Sequence, residues 1–205
     1  MPTSPERRSL FRDLDDLQAW ELLKRGEARG LEYIYRVHGK VLFNFGMKLY
    51  GKQEWVEDTL QELFVDLWRD RLRLKAVTSL RSYLLKAFKY KLIRQYGNEN
   101  KWSYVDYDSH SNLEVTLPEE SRIIAEQLSA DQRARLLTML NKLSIRQREV
   151  LHLLFQEGLS YEEVATVMEI NVRSVYTLAW KSIRALRKLI ADTSVFFAIL
   201  FLLSF

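Results

Sequence analysis

An all-α protein is the fold class this sequence predicts, and two observations carry it. Apolar residues recur at helical spacing through most of the chain, and alternation of the strand type is not sustained. Glycine is scarce, at 7 of 205 residues, and Pro2, Pro5 and Pro118 all lie outside the strongly periodic stretches. A third observation divides the fold. From Gly97 to Glu120 the chain is polar, with Asn98, Asn100, Ser103, Asp106, Asp108, Ser109, Ser111 and Asn112, and it carries no sustained apolar period. So long a structureless run is uncommon inside one compact domain. Two small helical domains are therefore expected, at 14–96 and 121–191, with a flexible linker at 97–120 and an apolar tail at 192–205.

In the first block, Leu14 to Leu23 predicts a short amphipathic helix. Leu31 to Leu49 predicts a longer one, with Ile34, Val37, Val41, Leu42 and Phe45 available for the core. The next helix places Val56, Leu60, Leu63, Phe64 and Leu67 on one stripe and Asp58, Glu62 and Asp66, with Gln61 beside them, on another. An acidic, amide-bearing face is a poor DNA ligand. It suits either solvent or a basic protein helix.

The charge then reverses. Arg71, Arg73 and Lys75 lead into a helix that Thr78 or Ser79 can cap, running from Leu80 to Tyr96. Leu84, Phe88 and Leu92 face its core, while Tyr83, Lys86, Tyr90 and Arg94 fall on roughly the opposite side at about 100° per residue. Cations interleaved with aromatics suit single-stranded DNA, because the cations follow the backbone and the rings stack on bases. The same pattern also describes a rim kept soluble by lysines.

The second block has the sharpest local signals. Ser144 with Gln147, and Ser160 with Glu163, each form a capping box at a helix start. The first of these helices carries Val150, Leu151, Leu154 and Phe155 inward and stops at Gly158. The second runs from Tyr161 to Met168, followed by a Glu169-Ile170-Asn171 turn in which Asn171 can cap the next helix. From Val172, the residues Val175, Ala179, Ile183, Leu186 and Ile190 continue an apolar face, opposite Arg173, Thr177, Lys181, Arg184 and Lys188. Two capped helices, a tight turn and a basic helix make a helix-turn-helix, whose last helix can meet phosphates and base edges in a major groove.

Composition narrows the classes. With 31 Lys and Arg against 27 Asp and Glu the chain is only mildly basic, so the distribution of charge matters more than its sum. There is no cysteine, and His38, His110 and His152 are far apart in sequence, which leaves no pattern for a zinc module, a thiol nucleophile or a disulfide framework. No glycine-rich nucleotide loop or nucleophile constellation is visible, and the expectation is a protein without an active site, cofactor or metal. Met1 to Arg12 lacks an apolar stretch, so a cytoplasmic location is expected.

The order of these features resembles the sigma-70 family of bacterial RNA polymerase sigma factors, in particular the short extracytoplasmic-function group. The residues carrying the likeness are Trp20–Glu27, Glu57–Trp68 with its D-x-x-Q-E-x-F-x-x-L-W pattern, Arg81–Ala87, Leu143–Val150 and Gly158–Ala165. The first-block pattern is the specific part, since helix-turn-helix motifs occur in many regulators. The resemblance implies a dissociable subunit that binds core RNA polymerase and directs promoter-specific initiation. It implies that Asp58, Gln61, Glu62 and Phe64 bind the polymerase clamp helices. Arg71, Arg73, Tyr83, Lys86, Lys89 and Tyr90 would meet the melted −10 element. Arg173, Ser174, Tyr176, Thr177, Lys181 and Arg184 would read the −35 duplex, and the apolar side of that domain would hold the polymerase flap. Promoter DNA and core polymerase are the implied partners, with an anti-sigma protein a further one that relatives often have.

Three positions depart from the pattern. Tyr90 and Arg94 stand where relatives often have Asn and Asp, which favours backbone over base contacts there. Glu169 stands where many relatives have glycine, and a glycine's left-handed backbone is unfavourable for glutamate. A turn built slightly differently is expected. The tail Val195–Phe205 is about half the ~20 residues a bilayer-spanning helix needs, so burial on the protein or a partner is favoured over membrane attachment. The competing class is a stand-alone helix-turn-helix regulator with a sensing or dimerising first block. It leaves the acidic-then-aromatic order of that block unexplained.

Overall fold

A computed structural model describes residues 14–50, 52–100 and 142–189. Seven α-helices lie among them: α1 (Asp16–Lys24), α2 (Ala28–Tyr50), α3 (Gln53–Arg69), α4 (Leu80–Asn100), α5 (Ile145–Leu151), α6 (Tyr161–Met168) and α7 (Val172–Leu189). A 3₁₀ turn (Arg71–Arg73) follows α3, and a π-helical turn (His152–Gln156) follows α5. No strand occurs among the described residues, and the all-α expectation holds. Most of the 97–120 linker, the start of the second domain and the 192–205 tail lie outside the described residues. Helix α4 runs to Asn100, four residues past the boundary expected at Tyr96.

Two helix starts in the first block have a side-chain cap. Asp15 caps α1 in a capping box with Gln18, accepting from the Gln18 amide at 2.8 Å. Of the two candidates for α4, Ser79 is the one that caps, its hydroxyl accepting from the Ser82 amide at 3.3 Å. Helices α1 and α2 cross so closely that a side chain at Gly30 would lie 2.5 Å from the Ala19 carbonyl oxygen. The stripe Val56, Leu60, Leu63, Phe64 and Leu67 of α3 is buried as expected, against α2 and α4. Val37 is a correction. It is 46% exposed, because the buried face of α2 is centred on Ile34, Leu42 and Phe45, and the polar His38 fills that face instead. A hydrogen bond of 2.9 Å to Asp16 satisfies the buried ring.

In the second block, both predicted capping boxes form, and Asn171 caps α7 by accepting from the Ser174 amide at 2.7 Å. The Glu163 carboxyl is held below its ordinary value, chiefly by the backbone N–H of Ser160. Gly158 ends its helix in the left-handed region, at φ +59°. The inward set of that helix is corrected at one position. The π turn inserts an extra residue into the helical register, so Leu153 and His152 face the core and Phe155 is turned out, 39% exposed. The turn after α6 also corrects the expectation. Glu169 keeps the left-handed geometry of a glycine, at φ 55° and ψ 44°. For a residue other than glycine this costs about 1–2 kcal/mol.

Candidate nucleic-acid and protein interfaces

Helix α3 presents Asp58, Gln61 and Glu62 to solvent on one face. At the centre of that face lies Val65, 62% exposed, a residue that sequence reasoning passed over because it breaks the core stripe. An apolar side chain ringed by carboxylates and an amide gives a partner helix something to bury as well as something to pair with. Beside it, Tyr35, Arg36, Phe43, Glu57, Leu60 and Gln61 line a groove between α2 and α3. Phe64 does not share this surface. Its ring is buried edge-on against Tyr35 at 5.0 Å, so it shapes the face from beneath. Lys91 of α4 ties down the inner edge, 2.6 Å from Asp66 and 3.5 Å from Glu62.

The connection from α3 to α4 is pinned rather than loose. The Trp20 indole N–H donates to the Lys75 carbonyl at 2.9 Å, and Tyr83 meets the same indole edge-on at 5.1 Å. Burial, helped by Asp70, raises the Tyr83 hydroxyl above its ordinary value, so it stays a neutral ring. Arg71 folds back over the Trp68 ring at 4.3 Å and donates to the Trp68 carbonyl, whereas Arg73 is exposed. Beyond them, Lys86 and Tyr90 lie toward the surface and Lys89 is only 4% exposed. The burial of Lys89 was not legible in the sequence, because a lysine gives no apolar signal.

On α7 the expected surface is assembled. Arg173, Tyr176, Thr177, Lys181 and Arg184 are all exposed, with Ser174 half-buried at their margin. Tyr176 stacks on Tyr161 of α6, their ring centroids 4.0 Å apart, which holds the ring flat against the surface. The Thr177 hydroxyl donates to the Arg173 carbonyl at 3.0 Å. Two residues escaped the sequence reading. Trp180, 58% exposed, lies in the same stripe with the Arg184 guanidinium 5.1 Å from its ring. Arg146 of α5 lines a polar cleft with Asn171, Arg173, Ser174, Thr177 and Lys181, and helical spacing within α7 could not have found it.

The two blocks meet along α4. Glu149 of α5 pairs with Lys89 at 2.7 Å, both side chains almost fully buried. Glu157 receives a hydrogen bond from Arg81. Glu163 accepts from the Ser82 hydroxyl at 3.2 Å, and Glu169 pairs with Lys86 at 3.0 Å and accepts from the Tyr90 hydroxyl. Beside this row His152 packs on Phe45 at 5.4 Å, with Glu157 at 3.1 Å. Burial pushes the imidazole below its ordinary value against the opposing pull of Glu157. Burial alone would raise Glu157, but His152 and Arg81 hold it below the ordinary carboxylate range.

Among the described residues no group of His, Asp and Glu is placed to hold a metal, and no helix is long and apolar enough to cross a membrane. The family model for Sigma-70, region 4 matches residues 133–186. The chain is 27% identical, over 133 residues, to the ECF RNA polymerase sigma factor SigK of Mycolicibacterium vanbaalenii, covering 64% of this chain and 67% of that protein. Its fold is similar to that of the sigma factor RpoE of Bartonella quintana, solved with the anti-sigma factor NepR. The TM-score is 0.58 at 21% identity, over 79% of this chain and 97% of that one. It is also similar to CnrH, solved with the cytosolic domain of CnrY, at TM-score 0.62 and 21% identity, over 87% and 99% of the two chains.

Proposed function

We infer that the chain belongs to the sigma-70 family, in its extracytoplasmic-function group, and that it binds core RNA polymerase and directs promoter-specific initiation through −35 recognition, −10 recognition and melting. The observation that carries the finer reading is the separation of charge. An acidic face with an apolar centre on α3 is distinct from the two cationic, aromatic faces on α4 and α7. A protein partner and two DNA segments are the three ligands such faces fit.

In this reading Asp58, Gln61, Glu62 and Val65 dock on a basic helical hairpin of the polymerase, and Phe64 supports them from the core. Arg173, Thr177, Lys181 and Arg184 enter the −35 major groove. Tyr176 lies flat at its edge, and Arg146 holds a flanking phosphate. Arg73, Lys86 and Tyr90 follow the backbone and bases of the melted −10 strand, with Arg71 and Tyr83 positioning the connection. Lys89 joins them, and Lys86 and Tyr90 exchange Glu169 for the strand, when the blocks separate. Nothing in these steps makes or breaks a covalent bond, so the protein acts by positioning, with the chemistry left to the polymerase. An anti-sigma protein is a further partner, as in the structural relative solved with the anti-sigma factor NepR.

The test is run-off transcription with purified core polymerase and the full chain. Specific initiation that appears only when both are present supports the proposal. Inhibition or activation of an already complete holoenzyme, with no initiation from core, assigns the chain to the stand-alone regulators instead.

A further inference from the structure

Where the two blocks meet, four glutamates of the second block bond side chains of α4. Glu149 comes from α5, Glu163 from α6, and Glu157 and Glu169 from the connections before and after α6, and they meet Lys89, the Ser82 hydroxyl, Arg81, and Lys86 with Tyr90 respectively. Ammonium, guanidinium and hydroxyl donors bind a phosphodiester as readily as a carboxylate. The acceptors therefore occupy α4 as a nucleic-acid backbone would.

Glu169 is the informative member. It is the one described residue other than glycine with positive φ, at the position where glycine would carry no strain. Its backbone amide closes α6, a task that needs no side chain, since the bond runs to the Ala165 carbonyl. Its carboxylate, by contrast, holds both Lys86 and Tyr90. Strain kept at a position whose side chain makes these two bonds points to them as a reason for keeping it.

We propose that the docked second block is a latch that closes α4 to single-stranded DNA, and that Glu169 is its releasable element, an internal mimic of a strand phosphate. The proposal rests on the reading of α4 as the −10 strand site. While the latch is shut, the apparent affinity of α4 for a strand is scaled down by the fraction of open molecules. Charge attraction between Glu169 and Lys86, with the Tyr90 hydrogen bond, lowers that fraction further. The other three glutamates are partly or wholly buried and hold the blocks together more firmly.

The test uses the full chain without polymerase. Fluorescence anisotropy with a short fluorescein-labelled single-stranded DNA of mixed sequence measures strand affinity. Energy transfer between dyes on Glu54→Cys and Thr166→Cys measures opening, in a chain with no other cysteine. Glu169→Gly suits the left-handed backbone, so folding is not at risk. It is expected to raise strand affinity about five- to tenfold, the effect of removing one partly exposed ion pair and one charged hydrogen bond. Energy transfer should fall in parallel, Glu169→Gln should give a smaller rise, and adding Lys86→Ala should cancel the gain. Unchanged affinity with unchanged energy transfer overturns the latch. Falling transfer with unchanged affinity overturns the strand competition and, with it, the −10 reading of α4. A rise in affinity without opening reduces Glu169 to a general charge effect and also overturns the proposal.

Discussion

The molecule carries two cationic, aromatic faces of nearly the same chemistry, and they are in opposite states. On α7, Arg173, Lys181 and Arg184 point to solvent, with Tyr176 and Trp180 among them. On α4, Arg81, Lys86, Lys89 and Tyr90 are engaged by glutamates of the other block. The difference lies in what the neighbours supply. Helix α7 buries only its apolar side, through Val175, Ala179 and Leu186, and leaves the polar side open to solvent. Helix α4 is buried on two sides, by Leu84, Phe88 and Leu92 on one and by Ser82 and Lys89 on the other. On the proposed reading, a face for duplex DNA can stand ready in solution, whereas one for a melted strand has a substrate only after melting, so keeping it occupied until then sacrifices little.

Breaking the closed face has the largest expected effect. Glu149→Gln leaves the Lys89 ammonium buried without that carboxylate and should lower the stability of the docked arrangement by about 3–5 kcal/mol. Thermal unfolding would show this as a lower midpoint or as two separated transitions. A single unshifted transition would contradict the weight given to the pair. On the open face, replacing Arg173 and Lys181 together with alanine should weaken −35 duplex binding by about 10- to 100-fold. The slope of log K against log salt should also fall, by about two phosphate contacts. A salt titration of the duplex complex would reveal whether these cations meet DNA at all.

The acidic face of α3 sharpens the contrast, since it should be indifferent to DNA. Glu62→Lys is expected to weaken core polymerase binding about tenfold and to leave duplex binding by α7 unchanged. Loss of both would mean the charge acts through folding. The smallest effect concerns pH. Burial lowers the folded-state pKa of His152, so the unfolded chain takes up more protons as pH falls through about 6.5. The contribution to stability is complete above that value and declines below it, toward the lower folded value. The melting midpoint should drop modestly between about pH 7.5 and about pH 5.5, and His152→Gln should flatten that drop.

Legibility in the sequence tracks the physics of each signal. Capping boxes at Ser144 and Ser160 are local, and both formed where they were read. The α3 stripe and the α7 faces come from periodicity, which survives tertiary packing. Positions decided by distant partners were not legible. Lys89 is buried because Glu149 meets it from sixty residues away. His38 displaces Val37 because Asp16 is there to bond it. Phe155 turned outward because a π turn shifted the register, and Glu169 kept a glycine's backbone against its own preference. The division of Arg71 and Arg73, one folded on Trp68 and the other open, depends on the same kind of tertiary contact.

The central claim is that α4 and α7 read two different parts of one promoter, as melted strand and as duplex. Photo-cross-linking tests it most directly, with a photoreactive amino acid placed in turn at Tyr90 and at Tyr176 of the full chain bound to core polymerase and promoter DNA. The account predicts that the probe at 90 reaches an unpaired strand near the start site and the probe at 176 reaches upstream duplex. Cross-links from position 90 only to duplex, or only to the second block of the same chain in the open complex, would contradict it.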